Sequence, residues 1–293
     1  MWQSLSEQIS ESTGKPFVAE STHPVGGGSI NSAFVISSDK KSFFVKTNSA
    51  SRVEMFEAER DGLNEIAASK TIKVPVPICV GVEGSQSYIV MENMAIHRGI
   101  GGNNQSIEQL GIDLANMHRF SNSQYGWYRN NTIGSTLQIN DHSNDWVYFY
   151  GEHRLGFQYR LAAKNGCKNL EKRGELLISK LDAFFRDYQP IASLLHGDLW
   201  SGNYAIDESG VPVIFDPATY YGDREADIAM TELFGGFSPR FYSAYNDSFA
   251  LDAGYRTRKI LYKLYHILNH FNLFGGGYQG QAERMTEQLL SEV

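Results

Sequence analysis

Three side chains, Asp198, Asn203 and Asp216, are of the types and at the spacing that could assemble a metal-assisted phosphoryl-transfer site. They lie in Leu194-Leu195-His196-Gly197-Asp198-Leu199-Trp200-Ser201-Gly202-Asn203 and, further on, in Val213-Ile214-Phe215-Asp216-Pro217. Between them, Tyr204 to Ile206 and Val211 to Phe215 read as two strands around the turn Asp207-Glu208-Ser209-Gly210. Phosphoryl transfer needs little covalent help from a protein; it needs an aligned hydroxyl and cations that offset the charge on the phosphates. An Asn and an Asp converging from the two strands of a hairpin give Mg²⁺ hard oxygen ligands, with waters and phosphates completing the octahedron. A carboxylate just before the hairpin can then face the acceptor hydroxyl as its base.

The interval from Asp198 to Asn203 is that of the H-x-D-L-x-x-x-N loop of kinases, where the Asp accepts the hydroxyl proton and the Asn holds Mg²⁺. Asp216 then takes the metal-binding place of the D-F-G aspartate, with Pro217 where the Phe would be. The tripeptide H-x-D alone is common in surface turns, which Asp, Gly, Asn and Ser favour anyway. The reading rests on the Asn and the second Asp falling in register with it.

The elements that must position these groups begin with a short helix over residues 2–13, on Trp2, Leu5 and Ile9, ended by Gly14 and Pro16. Next comes a glycine-dense stretch, Gly26-Gly27-Gly28-Ser29, whose backbone could approach phosphates, followed by strands at 33–36 and 43–46. Lys46 closes the second strand. Residues 51–68 read as a helix with Met55, Phe56, Leu63, Ile66 and Ala67 inward. Glu59 on that helix is the expected partner of Lys46, an ion pair that sets the α- and β-phosphates in kinases, and Glu57 competes for the role. Val74-Pro75-Val76-Pro77 favours extended chain. Strands at 78–82 and 88–91 complete an antiparallel sheet of about five strands. Met91-Glu92-Asn93-Met94 leaves it as a connection whose backbone, at Glu92 and Met94, is placed to bind adenine, and 98–105 reads as a mobile glycine-rich loop at this boundary.

From Ser106 the period becomes helical, with Ser106 and Gln109 as a capping box and Leu110, Leu114 and Met117 inward. His118 reads as a buried structural histidine, since no carboxylate partner is visible beside it. Further helical stretches carry Trp146, Phe149, Leu155, Phe157 and Leu161, then Leu176, Leu177, Leu181 and Phe184. After Tyr220-Tyr221-Gly222 the chain turns back into helix, with Asp227 as its N-cap and as a brace for the backbone of the catalytic loop. Ile260, Leu261, Leu264, Ile267, Leu268 and Phe271 mark one face of a helix closed by Gly275-Gly276-Gly277, and a last helix holds Met285, Leu289 and Leu290.

With 293 residues, 42% of them apolar, the chain can build one large or two modest domains around a real core. A net charge of −7 without clustered Lys and Arg excludes a phosphate-backbone binder and suits a cationic substrate. Cys79 and Cys167 stand far apart, which makes neither a disulfide framework nor a zinc site and fits a reducing cytoplasm. The N-terminus lacks the pattern of a secretory signal, and no apolar run reaches the ~18 to 20 residues of a membrane span.

The string His196-Gly197-Asp198-Leu199-Trp200-Ser201-Gly202-Asn203, with Phe215-Asp216-Pro217-Ala218, Tyr221-Gly222-Asp223-Arg224-Glu225-x-Asp227 and Leu268-Asn269-His270, closely resembles the fructosamine kinase family. That family lies within the aminoglycoside-phosphotransferase and choline-kinase-like superfamily, and the similarity runs over nearly the whole chain. It implies an α+β, two-lobed protein-kinase-like fold: a small antiparallel-sheet N-terminal lobe over 1–91 for the nucleotide and a larger, mainly helical lobe over 92–293 for catalysis and substrate. It further implies ATP- and Mg²⁺-dependent phosphorylation of the sugar 3-hydroxyl of ketoamines, as small molecules or on glycated protein lysines. The phosphorylated adduct is unstable and frees the amine, a deglycation repair. Position by position, the resemblance makes Asp198 the base, Asn203 and Asp216 the metal ligands, Lys46 and Glu59 the phosphate setters, and Gly26, Gly27, Gly28 and Ser29 the phosphate cover. Trp200 stacks on the ketoamine or shapes its pocket. The expected assembly is a monomer or weak homodimer, with no nucleic-acid or membrane partner. Ser29 stands where many members have Cys, which argues against a redox switch in that loop. Ser201 replaces a common Gly and Asp223 a common His, both expected near the acceptor, so ribulosamine or erythrulosamine can be preferred over fructosamine. The alternatives are an aminoglycoside or choline phosphotransferase, and a pseudokinase, against which the retention of Asp198 argues.

Overall fold

Strand alternation decides where Lys46 points. In the computed structural model, which describes residues 1–26, 30–39, 41–98 and 103–293, helix α1 (Trp2–Thr13) is followed by strands β1 (Ser21–Val25), β2 (Ser32–Ser37) and β3 (Ser42–Ser49). Helix α2 (Val53–Ser69) and strands β4 (Pro77–Glu83) and β5 (Gln86–Glu92) come next. Among the described residues these strands form an antiparallel sheet in the order β1-β2-β3-β5-β4. Val45, Tyr88 and Val90 turn to one face and pack on Leu5, Ile9 and Phe17. Ile89 and Met91 turn to the other and pack on Phe56, Leu63 and Ile66 of α2. Neighbours along a strand face opposite ways, so Phe44 and Lys46 share the α2 face. Burial of α1 thus closes one side of the sheet and leaves the other to α2 and the site.

The remainder is mainly helical. Strand β6 (Ile96–Arg98) and helix α3 (Asn104–His118) lead to the short hairpin β7 (Asn131–Ile133) and β8 (Thr136–Gln138). Then α4 (Trp146–Phe149), a π-helical turn (Tyr150–Gly156), α5 (Phe157–Lys164), α6 (Lys168–Ile178) and a 3₁₀ turn (Leu181–Phe185) reach β9 (Ser193–Leu195). The expected hairpin is β10 (Tyr204–Asp207) with β11 (Pro212–Ile214). Strand β12 (Tyr220–Gly222) pairs with β9. Helices α7 (Glu225–Thr231), α8 (Pro239–Ser248), α9 (Tyr255–Phe274) and α10 (Tyr278–Ser291) complete the chain. Leu261, Leu264, Ile267 and Leu268 of α9 are fully buried, as the periodicity requires. No helix among the described residues is long and apolar enough to cross a membrane.

Several local expectations are corrected. Helix α3 is capped by Asn103, whose side chain accepts from Ser106 N, rather than by Ser106. The region 146–161 is helical as expected, with a π turn at Tyr150–Gly156 between α4 and α5. The expected loop at 98–105 begins with strand backbone, since β6 pairs with β10. Residues 99–102 of that loop lie outside the described residues. Lys46 does not close its strand; β3 continues to Ser49. Tyr220 to Gly222 are a strand rather than the approach to a helix.

Candidate active site

The catalytic loop is built from the end of β9. His196 and Gly197 donate their backbone N–H groups to the two oxygens of Asp227, at 2.7 and 2.8 Å. Gly197 has φ +83, and a Cβ there would meet the Ala218 carbonyl at 2.1 Å, so only glycine fits. The buried His196 ring accepts from Asp198 N (3.2 Å) and donates to Phe215 O (3.0 Å), tying the loop to the strand that carries Asp216. Burial holds this imidazole below its ordinary pKa. Asn203 donates its amide N–H to Asp198 O at 2.8 Å, which leaves its amide oxygen as the end suited to a cation.

Asp216 follows β11 in a left-handed conformation, φ +61, sparsely populated for residues other than glycine but better tolerated by Asp and Asn than by most. Its Oδ1 accepts from Lys46 Nζ at 2.5 Å, and Lys46 also donates to Glu59 Oε1 at 2.6 Å. Burial opposes the lysine charge, yet the carboxylates of Asp216 and Glu59 together hold Lys46 well above its usual pKa. Burial is also the main force raising Glu59, against the pull of Lys46. Asp198 is pushed up to about 7, first by burial and then by the negative charges of Asp216 and Asp227. A carboxylate near neutrality is suited to general-base work.

These groups meet in one cavity of about 970 Å³. Lys46, Glu59, Asp198, Asn203 and Asp216 line one end, together with Gly26. A smaller cavity of about 170 Å³ shares Phe44, Phe215 and Asp216 with it and is lined by Val35, Met91, Glu92 and Met94, the connection expected to bind adenine. Gly27, Gly28 and Ser29, the expected phosphate cover, lie outside the described residues.

The model of the fructosamine kinase family matches residues 1–292 of the chain. The chain belongs to the fructosamine kinase family. A Synechocystis sp. protein provisionally named a ketoamine kinase is 47% identical over 290 residues, covering 99% of this chain and 97% of its own. The chloroplastic protein-ribulosamine 3-kinase of Arabidopsis thaliana is 44% identical over 270 residues, covering 91% of this chain and 81% of its own. A crystal structure from Haemophilus somnus 129PT, provisionally named fructosamine-3-kinase, superposes with a TM-score of 0.90 at 28% identity, covering 99% and 98% of the two chains. An aminoglycoside phosphotransferase, APH(4)-Ia, shares the fold alone, with a TM-score of 0.63 at 15% identity over 97% and 98% of the chains. The protein is a phosphotransferase with the mixed, kinase-like architecture that the resemblance implied.

Within this family member the competition between Glu57 and Glu59 is decided by the turn of α2: Glu59 shares the buried face with Phe56, Leu63 and Ile66, and Glu57, two residues away, faces elsewhere. There Arg129 donates to Glu57 Oε2 at 3.2 Å and to Asp61 Oδ2 at 2.5 Å. Glu59→Gln is therefore expected to raise the KM for ATP by at least about tenfold, the value of one charge-assisted hydrogen bond. Glu57→Gln should leave it within about twofold, as half-exposed ion pairs contribute little. Steady-state kinetics on the two variants separates them, and equal effects would remove Glu59 from the assignment.

Trp200 lines the same cavity, 38% exposed, with its indole over Gly202, where a Cβ would lie 2.4 Å from the ring. It stands edge-on to Phe234 at 6.3 Å, and Phe234 in turn lies 4.7 Å from His270, which is 5.2 Å from Tyr278. Trp200 was expected here and His270 stood in a motif of the resemblance, but Phe234, Tyr278 and Thr132, Ile133 and Gly134 around the β7–β8 turn were not legible as site residues, because they converge from segments with no motif of their own. Ser201 lines the cavity as expected. Asp223 does not: it is fully buried elsewhere, accepting from Tyr188 and Tyr262 hydroxyls at 2.9 and 2.5 Å and from Glu225 N. It is a structural acceptor, and its place near the acceptor substrate is withdrawn. Asp227 is not an N-cap, since α7 begins at Glu225, but its carboxylate does hold the loop amides. His118 is buried as expected, yet the carboxylate that its sequence neighbourhood lacks is supplied by Asp227.

Proposed function

We propose that this enzyme transfers the γ-phosphoryl group of ATP to the sugar 3-hydroxyl of ketoamines, with a ribulosamine as the preferred adduct and release of the amine as the consequence. The observation that carries the reading is the convergence of Lys46 with Glu59 and of Asp198 with Asn203 and Asp216 on one cavity whose far end is walled by aromatic rings. The names of the Synechocystis and Arabidopsis relatives supply the substrate class. Asp198 accepts the proton of the sugar hydroxyl, and Lys46 braced by Glu59 aligns the phosphates. Asn203 and Asp216 are the residues that would hold Mg²⁺, and two oxygen ligands suit a cation that takes its other ligands from water and phosphates. When bound, it offsets charge on the transferring group. Residues 1–91 carry the nucleotide end and 92–293 the acceptor end, with Glu92 and Met94 at the adenine, Gly26 to Ser29 over the phosphates and Trp200 against the sugar or its amine. The proposed compartment is the reducing cytoplasm.

The test follows ADP release from Mg-ATP with ribulosyl-lysine, fructosyl-lysine, kanamycin and choline in parallel. Turnover of the ketoamines, highest with ribulosyl-lysine, is expected. Turnover confined to kanamycin or choline would replace the acceptor, and ATP binding without turnover of any would leave a nucleotide-binding module.

A further inference from the structure

The geometry points to a buried hydrogen-bond relay, Arg224–Tyr245–His118–Asp227, that fixes the catalytic loop from behind, with His118 as a positioning residue for Asp198. The inference rests on the proposed role of Asp198 as the base.

Asp227 accepts three hydrogen bonds: from the backbone of His196, from the backbone of Gly197, and from His118 Nε2 at 3.2 Å on its Oδ2. The other ring nitrogen of His118 faces the Tyr245 hydroxyl at 2.8 Å. That hydroxyl accepts from Arg224 Nη1 at 2.9 Å. These partners assign one set of directions: Arg224 donates to Tyr245, Tyr245 donates to His118 Nδ1, and His118 donates from Nε2 to Asp227. The opposite tautomer would leave the bare Nε2 facing the Asp227 carboxylate, acceptor against acceptor. Burial holds the His118 imidazole below its ordinary pKa, which keeps it in the neutral form this pattern needs. Every member is shielded from water, with exposures of 7% for Arg224 and 1% for each of Tyr245, His118 and Asp227.

The relay is held by helix packing rather than by its own bonds. His118 is the last residue of α3 and Tyr245 lies in α8. The two helices approach so closely that a Cβ on Gly111 would lie 2.5 Å from the Phe241 carbonyl, which fixes the distance between their side chains. Arg224 is anchored in turn by the carbonyls of Phe249 and Ala250, at 2.9 and 2.6 Å. Without the His118 donor, each Asp227 oxygen keeps one backbone partner, but Oδ2 loses the bond that holds the carboxylate from behind. The loop amides loosen, and Asp198, the next residue, loses its aim. Binding of ATP and of the acceptor depends on other residues and is untouched.

Three variants test this. His118→Phe keeps a ring and removes the donor; His118→Gln keeps an N–H donor; Tyr245→Phe removes only the hydroxyl. His118→Phe is expected to lower kcat at least about tenfold, as outer-shell partners commonly do, with KM for ATP and ribulosyl-lysine within about twofold. His118→Gln should restore most of that loss. Tyr245→Phe should lower kcat less, and the double variant His118→Phe/Tyr245→Phe should be no worse than His118→Phe alone, since both act on one carboxylate. Hydrogen exchange at the His196 and Gly197 amides should quicken in His118→Phe and not in His118→Gln. Unchanged kcat in His118→Phe, equal losses in His118→Phe and His118→Gln, or unchanged amide exchange would overturn the relay. If His118→Phe does not fold, the kcat and loop-amide exchange of Tyr245→Phe decide in the same sense. Wild-type protein inactive on ketoamines would instead be a failure of the substrate reading, while the exchange measurement still judges the relay.

Discussion

Asp198→Asn is expected to bind Mg-ATP as the wild type does and to lose at least about a hundredfold in turnover, the lower end for removal of a general base. The substitution keeps the shape of the side chain, and the hydrogen bond from the Asn203 side-chain amide, which at position 198 uses only the backbone carbonyl, survives. What disappears is the proton acceptor. Because burial and the charges of Asp216 and Asp227 bring Asp198 to about 7, wild-type kcat/KM should rise as pH passes upward through that region and level off above it. A cation held by Asn203 and Asp216 would move the rise to lower pH. The residual rate of the variant should lack that inflection.

The same shift has a consequence for stability. The folded-state pKa of Asp198 lies above the ordinary carboxylate value, so the folded state binds the proton more tightly than the unfolded chain. The stabilisation from protonated Asp198 is present below about pH 4 and is lost as pH rises through about 7. The Asn variant does not titrate there. Its melting temperature should therefore gain on that of the wild type between pH 4 and pH 7 and keep the advantage above. Near-normal turnover in Asp198→Asn would mean that another carboxylate is the base, whatever the melting curves show.

How far the site was legible follows from how local its parts are. His196 to Asn203 and Asp216 share one turn and one hairpin, so spacing alone brings them into register. Lys46 and Glu59 were legible as a pair because strand alternation and the helix that follows put them on one face. The preference for Glu59 over Glu57 follows from the same period, since Glu59 lies three residues after Phe56 and four before Leu63. Asp223 and Asp227 show where such local reading stops. Four residues apart and both acidic, they differ in function because Tyr188 and Tyr262 wrap one while the loop amides claim the other. In the aromatic wall Trp200 was legible from its motif, whereas Phe234 and Tyr278 reach the same cavity from stretches in which no period marks a site. In the fold, the sheet, α9 and the helical stretch at 146–161 followed from periodicity, whereas the π turn at Tyr150–Gly156 within that stretch is not contained in it.

The sharpest test of the metal assignment is Asp216→Asn, expected to raise the Mg²⁺ concentration for half-maximal activity at least about tenfold and to cut turnover by about 10² or more, as loss of an electrostatic partner at transferring phosphate does. Asn is the substitution of choice because position 216 has φ +61, which Asn tolerates, whereas Ala would add backbone strain to the loss of charge. Lys46 would keep Glu59 as its carboxylate, so the lysine stays charged and the nucleotide end stays assembled. Removing the charge of Asp216 also removes one of the two negative neighbours that raise Asp198. At Mg²⁺ concentrations that saturate both enzymes, the pH at which activity rises should therefore move downward in Asp216→Asn, whereas a purely structural Asp216 would leave it in place. A titration of activity against Mg²⁺ at several pH values reads both effects at once. An unchanged Mg²⁺ requirement would place the cation on other ligands, and an unchanged pH profile would separate Asp216 from the base.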